Sequence, residues 1–445
     1  MFKRVLIANR GEIACRIIRA CRKLGVESVA VYSEADRDSL HVKMADVSIC
    51  IGPPDSARSY LHIPAIISAA EISDVDAIHP GYGFLSENGH FADICRSLDI
   101  AFIGPSAEAM AKMSDKAGAR ELAKSSGVPI LPGTDGVIPD DEAGLRAARR
   151  IGYPVIVKAT AGGGGRGIRT AHNDAALRVA MSAARTEAEA AFSDGGLYLE
   201  KFLARPRHVE VQVLCDAHGN IVHLGERDCT TQRRHQKLIE ESPSPAIDAK
   251  TRRAMGETAV KLCKACGYTN AGTVEFLLED GEFFFMEMNT RIQVEHPVTE
   301  MVTGLDLIEE QLRVAAGETL RWRQKDIAPA GHAMEFRINA EDPDCRFAPS
   351  PGLITLFVPP EGEGIRTDSF MYSGYRVTPY YDSLLAKLIV RADNRAACIE
   401  KSRNALREFF LEGVKTTIPF HILILENNAF VQSDFDINFV DRLYN

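Results

Sequence analysis

The chain has no run of 18 apolar residues, so the sequence offers no stretch long enough for a membrane helix. Strand-like sequence starts at Phe2 and continues to Ala8, which leaves no room for a signal peptide and points to the cytoplasm. Positive charge is not in excess. With 52 Lys and Arg against 61 Asp and Glu, the net charge of -9 argues against a nucleic-acid binder while leaving room for local basic pockets. The one CxxC, Cys263 to Cys266, has no second pair or histidine cluster to complete a zinc site. The ten scattered cysteines therefore read as mostly buried thiols of a reducing compartment, with Cys263 and Cys266 on one helix. Both common nucleotide signatures are missing as well: there is no GxxxxGK[ST], and Gly11 stands alone where a dinucleotide fingerprint would follow the first strand.

What remains is the balance of an ordinary globular protein, 45% hydrophobic and 25% charged, with length for about three domains at ~150 residues each. Lys3–Ala8, the apolar spacing Ile13, Ile17, Cys21, Leu24, and Val26–Tyr32 predict a βαβ unit of a parallel sheet. Val75–Ile78 predicts a further strand running into His79-Pro80-Gly81-Tyr82-Gly83, either a structural turn or a ligand loop at a strand's carboxyl end. Pro105-Ser106 and Ser114-Asp115 open new helices, with the first boundary near residue 115, and Val128–Gly136 reads as a linker. The strand Tyr153–Lys158 feeds four consecutive glycines from Gly162 to Gly165 and then Arg166. Glycine weakens regular structure by about 0.5–1 kcal/mol relative to alanine, so such a run suits backbone N–H groups closing on an anion, or a hinge. Val209–Cys215 and Ile221–Gly225 predict a hairpin, and Arg227–Lys237 reads as a basic, amide-rich loop suited to a polyanion. Later, His332–Ala340 and Leu384–Val390 predict strands, and Arg395–Leu411 a helix.

The densest stretch is Thr273–Pro297. Two apolar, aromatic runs flank Glu279-Asp280-Gly281-Glu282, a hairpin signal. An odd-length loop centred on Gly281 puts position 275 across from 287, with Glu275, Leu277, Phe285, Glu287 and Asn289 on one face. Val274, Phe276, Leu278, Phe284, Met286 and Met288 then form an apolar face. Two carboxylates and an amide oxygen on neighbouring strands suit a hard divalent cation held together with substrate phosphates. A solvated charged face is the alternative. Polar residues continue at Arg291, Gln293 and Glu295; fully extended, the run from 287 to 295 would span roughly 26 Å, so the chain is expected to bend after Asn289.

YPVIVKATAGGGGRG, ERDCTTQRRHQK and MEMNTRIQVEHPVTE, with ANRGEIACRI and HPGYGFLSEN, resemble the biotin carboxylase family of the ATP-grasp superfamily, from Lys3 to about Pro419. The resemblance implies an α/β and α+β multidomain fold. Its parts would be a Rossmann-like domain over 1–114, an ATP-grasp domain over 115–330 with a mobile lid over about 131–203, and an α+β C-terminal domain over 331–445. It implies that Lys116, Lys158, Gly164 and Gly165 hold ATP phosphates, that Glu200, Lys201 and Leu203 meet adenine, and that His208, Gln232 and His235 surround the ribose. Glu275, Glu287 and Asn289 would hold Mg²⁺ or Mn²⁺, as two ions. Lys237, Arg291, Gln293 and the Val294 backbone would hold bicarbonate, Glu295 would take its proton, and Arg337 would stabilise the biotin enolate. The implied reaction is ATP-dependent carboxylation of biotin through carboxyphosphate, the first half-reaction of acetyl-CoA carboxylase or of a pyruvate or 2-oxoglutarate carboxylase. No Met-Lys-Met attachment core exists, so biotin is expected in trans on a biotin carboxyl carrier protein, with a separate carboxyltransferase subunit and homodimers as the family commonly forms.

Overall fold

The computed structural model describes residues 1–160, 169–192 and 194–444. The N-terminal strands form a five-stranded parallel sheet in the order Val47–Gly52, Glu27–Ser33, Arg4–Ile7, Ala77–His79, Ala101–Phe102. The helix Gly11–Leu24 follows the first strand as its spacing predicts, and Gly11 starts it with a positive φ of 67°. Asn9 donates from Nδ2 to the Pro80 and Tyr82 carbonyls at 2.7 and 2.8 Å, which fixes the glycine loop beyond the fourth strand. The expected helix starts are also present: Ser106 caps Ala107–Ser114 and Asp115 caps Lys116–Ser125.

An eight-stranded sheet forms the centre. Its order is Glu282–Asn289, Asn270–Glu279, Arg207–Cys215, Ile221–Arg233, Gln236–Ser242, His332–Asn339, Leu384–Ala392, Ile365–Ser369. His332–Asn339 pairs directly with Gln236–Ser242, so hydrogen bonding runs unbroken from the central part of the chain into the C-terminal part. On one face, Val209, Val211, Val213, Val274, Phe276 and Leu278 pack against Met255, Ala259, Leu262, Cys263 and Cys266 of the helix Ala249–Cys266. The CxxC residues are thus buried positions on one helix. A separate antiparallel sheet of Arg169–Ala171, Val155–Ala159 and Leu197–Lys201 carries the helices Asp141–Ile151 and Asp174–Phe192. Gly164, Gly165 and Arg166 lie outside the described residues.

Three local expectations need correction. The hairpin loop is the two-residue turn Asp280-Gly281, with φ of 52° and 80°, because Glu279 pairs with Glu282. Two positive φ values are what a tight hairpin turn needs, and Asp-Gly supplies them. An extra residue at Met286 then shifts the register, so Glu275 still faces Glu287 while Phe276 pairs with Phe285. Phe285 therefore lies in the core, not on the Glu275 face, and Phe284 and Met286 are only half-buried. The basic stretch Arg227–Arg233 is a strand, with its turn at Arg234-His235. The helix from Arg395 stops at Arg407, and Phe410–Glu412 instead pairs with Leu356–Val358.

Candidate active site

One cross-strand row builds the centre of the site. Arg227 pairs with Glu210, Glu210 with Glu275, and Glu275 with Glu287, so four charged side chains from four neighbouring strands share the face opposite the apolar core. Lys237 enters this row from Gln236–Ser242. Its Nζ donates to Glu295 Oε1 at 2.6 Å, Glu210 Oε2 at 2.7 Å and Glu275 Oε1 at 3.1 Å. A three-donor ammonium with three carboxylate acceptors is fully used. Arg337 holds the other side of Glu295, with Nη2 2.9 Å from Oε2, and donates from Nε to Glu240 Oε1 at 2.6 Å.

Burial would lower the ammonium of Lys237, but the Cys229 thiol and the three carboxylates hold it well above its usual value. Burial would likewise raise the Glu295 carboxyl, yet Lys237, Arg337 and Arg227 pull it far below the carboxylate range. Glu275 is held low in the same way, against burial, by Lys237 and His208. Glu240 goes the other way: burial pushes it up to about 7 despite Arg337, and the charge of Glu295 adds to the rise.

The chain turns sharply after Asn289, as its length required. Glu87, from the loop that follows the fourth N-terminal strand, accepts from Thr290 N at 2.9 Å and from Arg291 Nε at 3.1 Å, and this holds the bend. The bend returns Gln293 and Glu295 to the row. Gln293 Nε2 donates to Glu275 Oε1 at 2.8 Å, and its Oε1 accepts from Arg227 at 2.8 Å. Glu295 ends beside the first turn of the helix His296–Thr303.

Asn289 Nδ2 donates to Glu275 Oε1 at 2.8 Å, and Arg291 Nη2 donates to Asn289 Oδ1 at 2.9 Å. His208 Nε2 lies 3.0 Å from Glu275 Oε2 without good hydrogen-bond alignment. Glu287 is 40% exposed and meets Lys116 Nζ at 3.6 Å. Glu287 and Asn289 line a groove with Lys116, and Glu275 is buried behind them with Oε1 accepting from Lys237, Asn289 and Gln293; two carboxylates and an amide are the donor types that fit Mg²⁺ or Mn²⁺. The tightest groups of possible ligands among the described residues, His208 with Glu210 and Glu275, and Glu210 with Cys229 and Glu295, surround Lys237 instead.

The remaining expected residues lie in two other places, the three-stranded sheet with its flanks and the hairpin that carries Lys237. Lys158 pairs with Glu200, and Arg120 reaches the other Glu200 oxygen at 2.9 Å. Lys201 Nζ donates to the Gly152 and Tyr153 carbonyls at 2.8 and 3.2 Å. Leu203 follows that strand, Gln232 faces Lys237 across its hairpin, and His235 occupies the turn. The Val294 carbonyl accepts from Lys387 at 2.8 Å.

Several residues of this centre were not among those expected. Arg227, with no exposure, donates to Glu210, Gln212, Thr299, Thr273 and Gln293, and it is structural rather than a surface cation for a polyanion. The alternation His208, Glu210, Gln212 between Val209, Val211 and Val213 was a legible signal for the polar face. Nothing local marked Glu87 or Glu240.

Residues 1–110 match the family "Biotin carboxylase, N-terminal domain", and residues 335–442 match "Biotin carboxylase C-terminal domain". Residues 115–323 match "Carbamoyl-phosphate synthase L chain, ATP binding domain". The chain is 55% identical over 443 residues to Biotin carboxylase 1 of Bacillus subtilis, covering 99% of this chain and 98% of the relative. The chain belongs to the biotin carboxylase family. Its activity is accordingly biotin carboxylation, an ATP-dependent ligation. A biotin carboxylase from Campylobacter jejuni, solved as a β-γ-ATP complex, superposes with a TM-score of 0.95 at 52% identity, covering 99% of each chain. The biotin carboxylase domain dimer of the Hydrogenobacter thermophilus 2-oxoglutarate carboxylase, solved with MgADP, ADP and bicarbonate, gives 0.93 at 48% identity, covering 100% of this chain and 99% of that one. No helix among the described residues is long and apolar enough to cross a membrane.

Proposed function

We propose that the Lys237–Glu295–Arg337 cluster is the bicarbonate and biotin end of the reaction, and that the groove from Glu287 and Lys116 to Lys158 is the ATP end. The observation that carries this reading is Lys237 Nζ bridging Glu210, Glu275 and Glu295 while Arg337 takes the second oxygen of Glu295. A carboxylate held this far down is a poor base while both cations grip it. An incoming bicarbonate competes for Lys237, with Arg291, Gln293 and the Val294 N–H around it. As those contacts move to the substrate, Glu295 regains basicity and removes the bicarbonate proton.

The bicarbonate oxygen then attacks the γ-phosphorus of ATP, ADP leaves, and carboxyphosphate forms. Its breakdown gives CO₂ and phosphate. That phosphate takes the N1 proton of biotin, and the resulting nitrogen attacks CO₂. Arg337 balances charge on the ureido oxygen, a role in which one fixed donor is worth ~10²–10³ in rate. Glu275, Glu287 and Asn289 would hold the divalent ions, which neutralise phosphate charge when bound. Lys116 and Lys158 add cations to the phosphates, with Gly164 and Gly165 of the lid. Glu200, Lys201 and Leu203 face adenine, and His208, Gln232 and His235 the ribose.

Biotin is delivered in trans on a carrier protein, the parent enzyme is an acetyl-CoA carboxylase, and the subunit works as a cytoplasmic homodimer. The likeness to a 2-oxoglutarate carboxylase domain supports a second acceptor class, since acceptor chemistry belongs to the carboxyltransferase partner. The test of the site is ATP cleavage with bicarbonate and free biotin, followed by the formation of labelled carboxybiotin. Cleavage that needs both substrates and is lost in Glu295→Gln supports the reading; full turnover in that variant rejects the base. Co-purification of the carboxyltransferase identifies the acceptor.

A further inference from the structure

Lys387 is a lysine with no solvent exposure, on the strand Leu384–Ala392. Burying an ammonium is unfavourable unless partners surround it. Its Nζ donates to the Val294 carbonyl at 2.8 Å and lies 3.1 Å from Glu12 Oε1 and 4.0 Å from Asp368 Oδ2. Glu12 comes from the first helix and also receives the Tyr82 hydroxyl, so residues of all three parts of the chain meet at this ammonium.

The register gives the arrangement a purpose. Lys387 is the cross-strand partner of Arg337 on one side and of Asp368 on the other, so all three project from the same face. Arg337 grips the carboxylate of Glu295, and Lys387 grips the carbonyl of the residue just before it. Two adjacent cations of one row therefore hold the side chain of Glu295 and the Val294–Glu295 peptide plane from which it projects. Asp368 does not depend on Lys387 for compensation, because Arg366 donates to both of its oxygens at 3.0 and 2.6 Å.

We propose that Lys387 is a positioning residue for bicarbonate activation: by fixing the Val294 carbonyl it sets the aim of Glu295 and of the Gln293–Glu295 turn. This rests on the assignment of Glu295 as the base. A misplacement of about 1 Å at such a group can cost ~10² in rate, and that is the scale expected here.

The experiment compares the full-length wild type with Lys387→Met and with the double variant Lys387→Met, Glu12→Gln, which removes both partners of the buried pair at nearly constant volume. In both variants the bicarbonate KM is expected to rise and kcat to fall by ~10-fold or more, while the KM for ATP stays within about twofold. Should the single variant fail to fold, the double variant carries the test. A double variant with wild-type bicarbonate KM and kcat overturns the proposal, as does an equal loss in the ATP and bicarbonate parameters, which marks a purely structural lysine. Glu295→Gln assayed alongside separates the two ideas: full turnover there rejects the base assignment whatever the Lys387 variants do.

Discussion

The two ends of the site are built differently. At the proposed bicarbonate end, Arg227 and Glu210 have no exposure, and Lys237 is nearly enclosed with three carboxylate acceptors. At the proposed nucleotide end, Lys116 and Glu287 are 47% and 40% exposed and stand 3.6 Å apart, too far for a firm hydrogen bond. A small, weakly held anion needs a site that is organised before it arrives, so the protein fixes those groups in advance. A large polyanion with metal ions brings its own charge, and the residues meeting it can remain solvated until it binds.

This contrast predicts a graded series of effects. The largest belongs to Glu295→Gln, where bicarbonate-dependent ATP cleavage should fall by ~10²–10⁴ while ATP binding, measured by nucleotide titration, persists. Arg227→Met should come next. It leaves Glu210 buried without its arginine, and urea unfolding should register a loss of about 3–5 kcal/mol; a loss no larger than a surface substitution would contradict a preassembled centre.

A pH experiment probes a buried carboxylate on the opposite face of the same strand, one residue from Glu240. Burial would raise Glu241, but His332 and Arg395 hold it down at about 2. A carboxyl depressed in the folded state contributes stability above its unfolded value of about 4.3, and that contribution disappears as the pH falls toward 2. The stability gap between wild type and Glu241→Gln should therefore be of order 2–3 kcal/mol near neutrality and shrink below about pH 4. A gap that stays constant with pH contradicts the ion-paired state.

At the open end, Glu287→Gln should weaken Mg-ATP affinity by ~10–100-fold, the scale seen for groups supporting a metal site, with bicarbonate KM little changed. Lys116→Ala should give the smallest stability effect, within ~1 kcal/mol, because an exposed ion pair contributes little. Its signature should lie in nucleotide affinity. Equal destabilisation by Lys116→Ala and Arg227→Met would erase the distinction between the ends.

Much of this was legible in local sequence because strand alternation assigns side chains to faces. Glu275, Glu287 and Asn289 were readable that way, and the length of the 287–295 run required the bend that Glu87 holds. The bulge at Met286 was not readable, since an aromatic run such as Phe283–Phe285 satisfies two registers equally and only packing against Phe276 selects one. Arg227–Arg233 looked like a surface loop because its charges are dense. It is a strand because each arginine finds a partner distant in sequence: Arg227 takes Glu210, and Arg233 stacks over Phe347. The stop of the Arg395–Arg407 helix was also set from afar, by the pairing of Phe410–Glu412 with Leu356–Val358.

By itself, the sequence determined the parallel N-terminal sheet, the acidic hairpin, the kinds of side chain available for chemistry and the family to which they belong. Those features follow from periodicity and residue type within a few positions of each other. Only the tertiary structure decided which charges neutralise which. Lys237 meets Glu210, Glu275 and Glu295, and Lys387 meets Glu12 and the Val294 carbonyl, across separations of tens to hundreds of residues. An ionic contact has no period in sequence; its strength depends on distance and burial, and both exist only once the strands have paired.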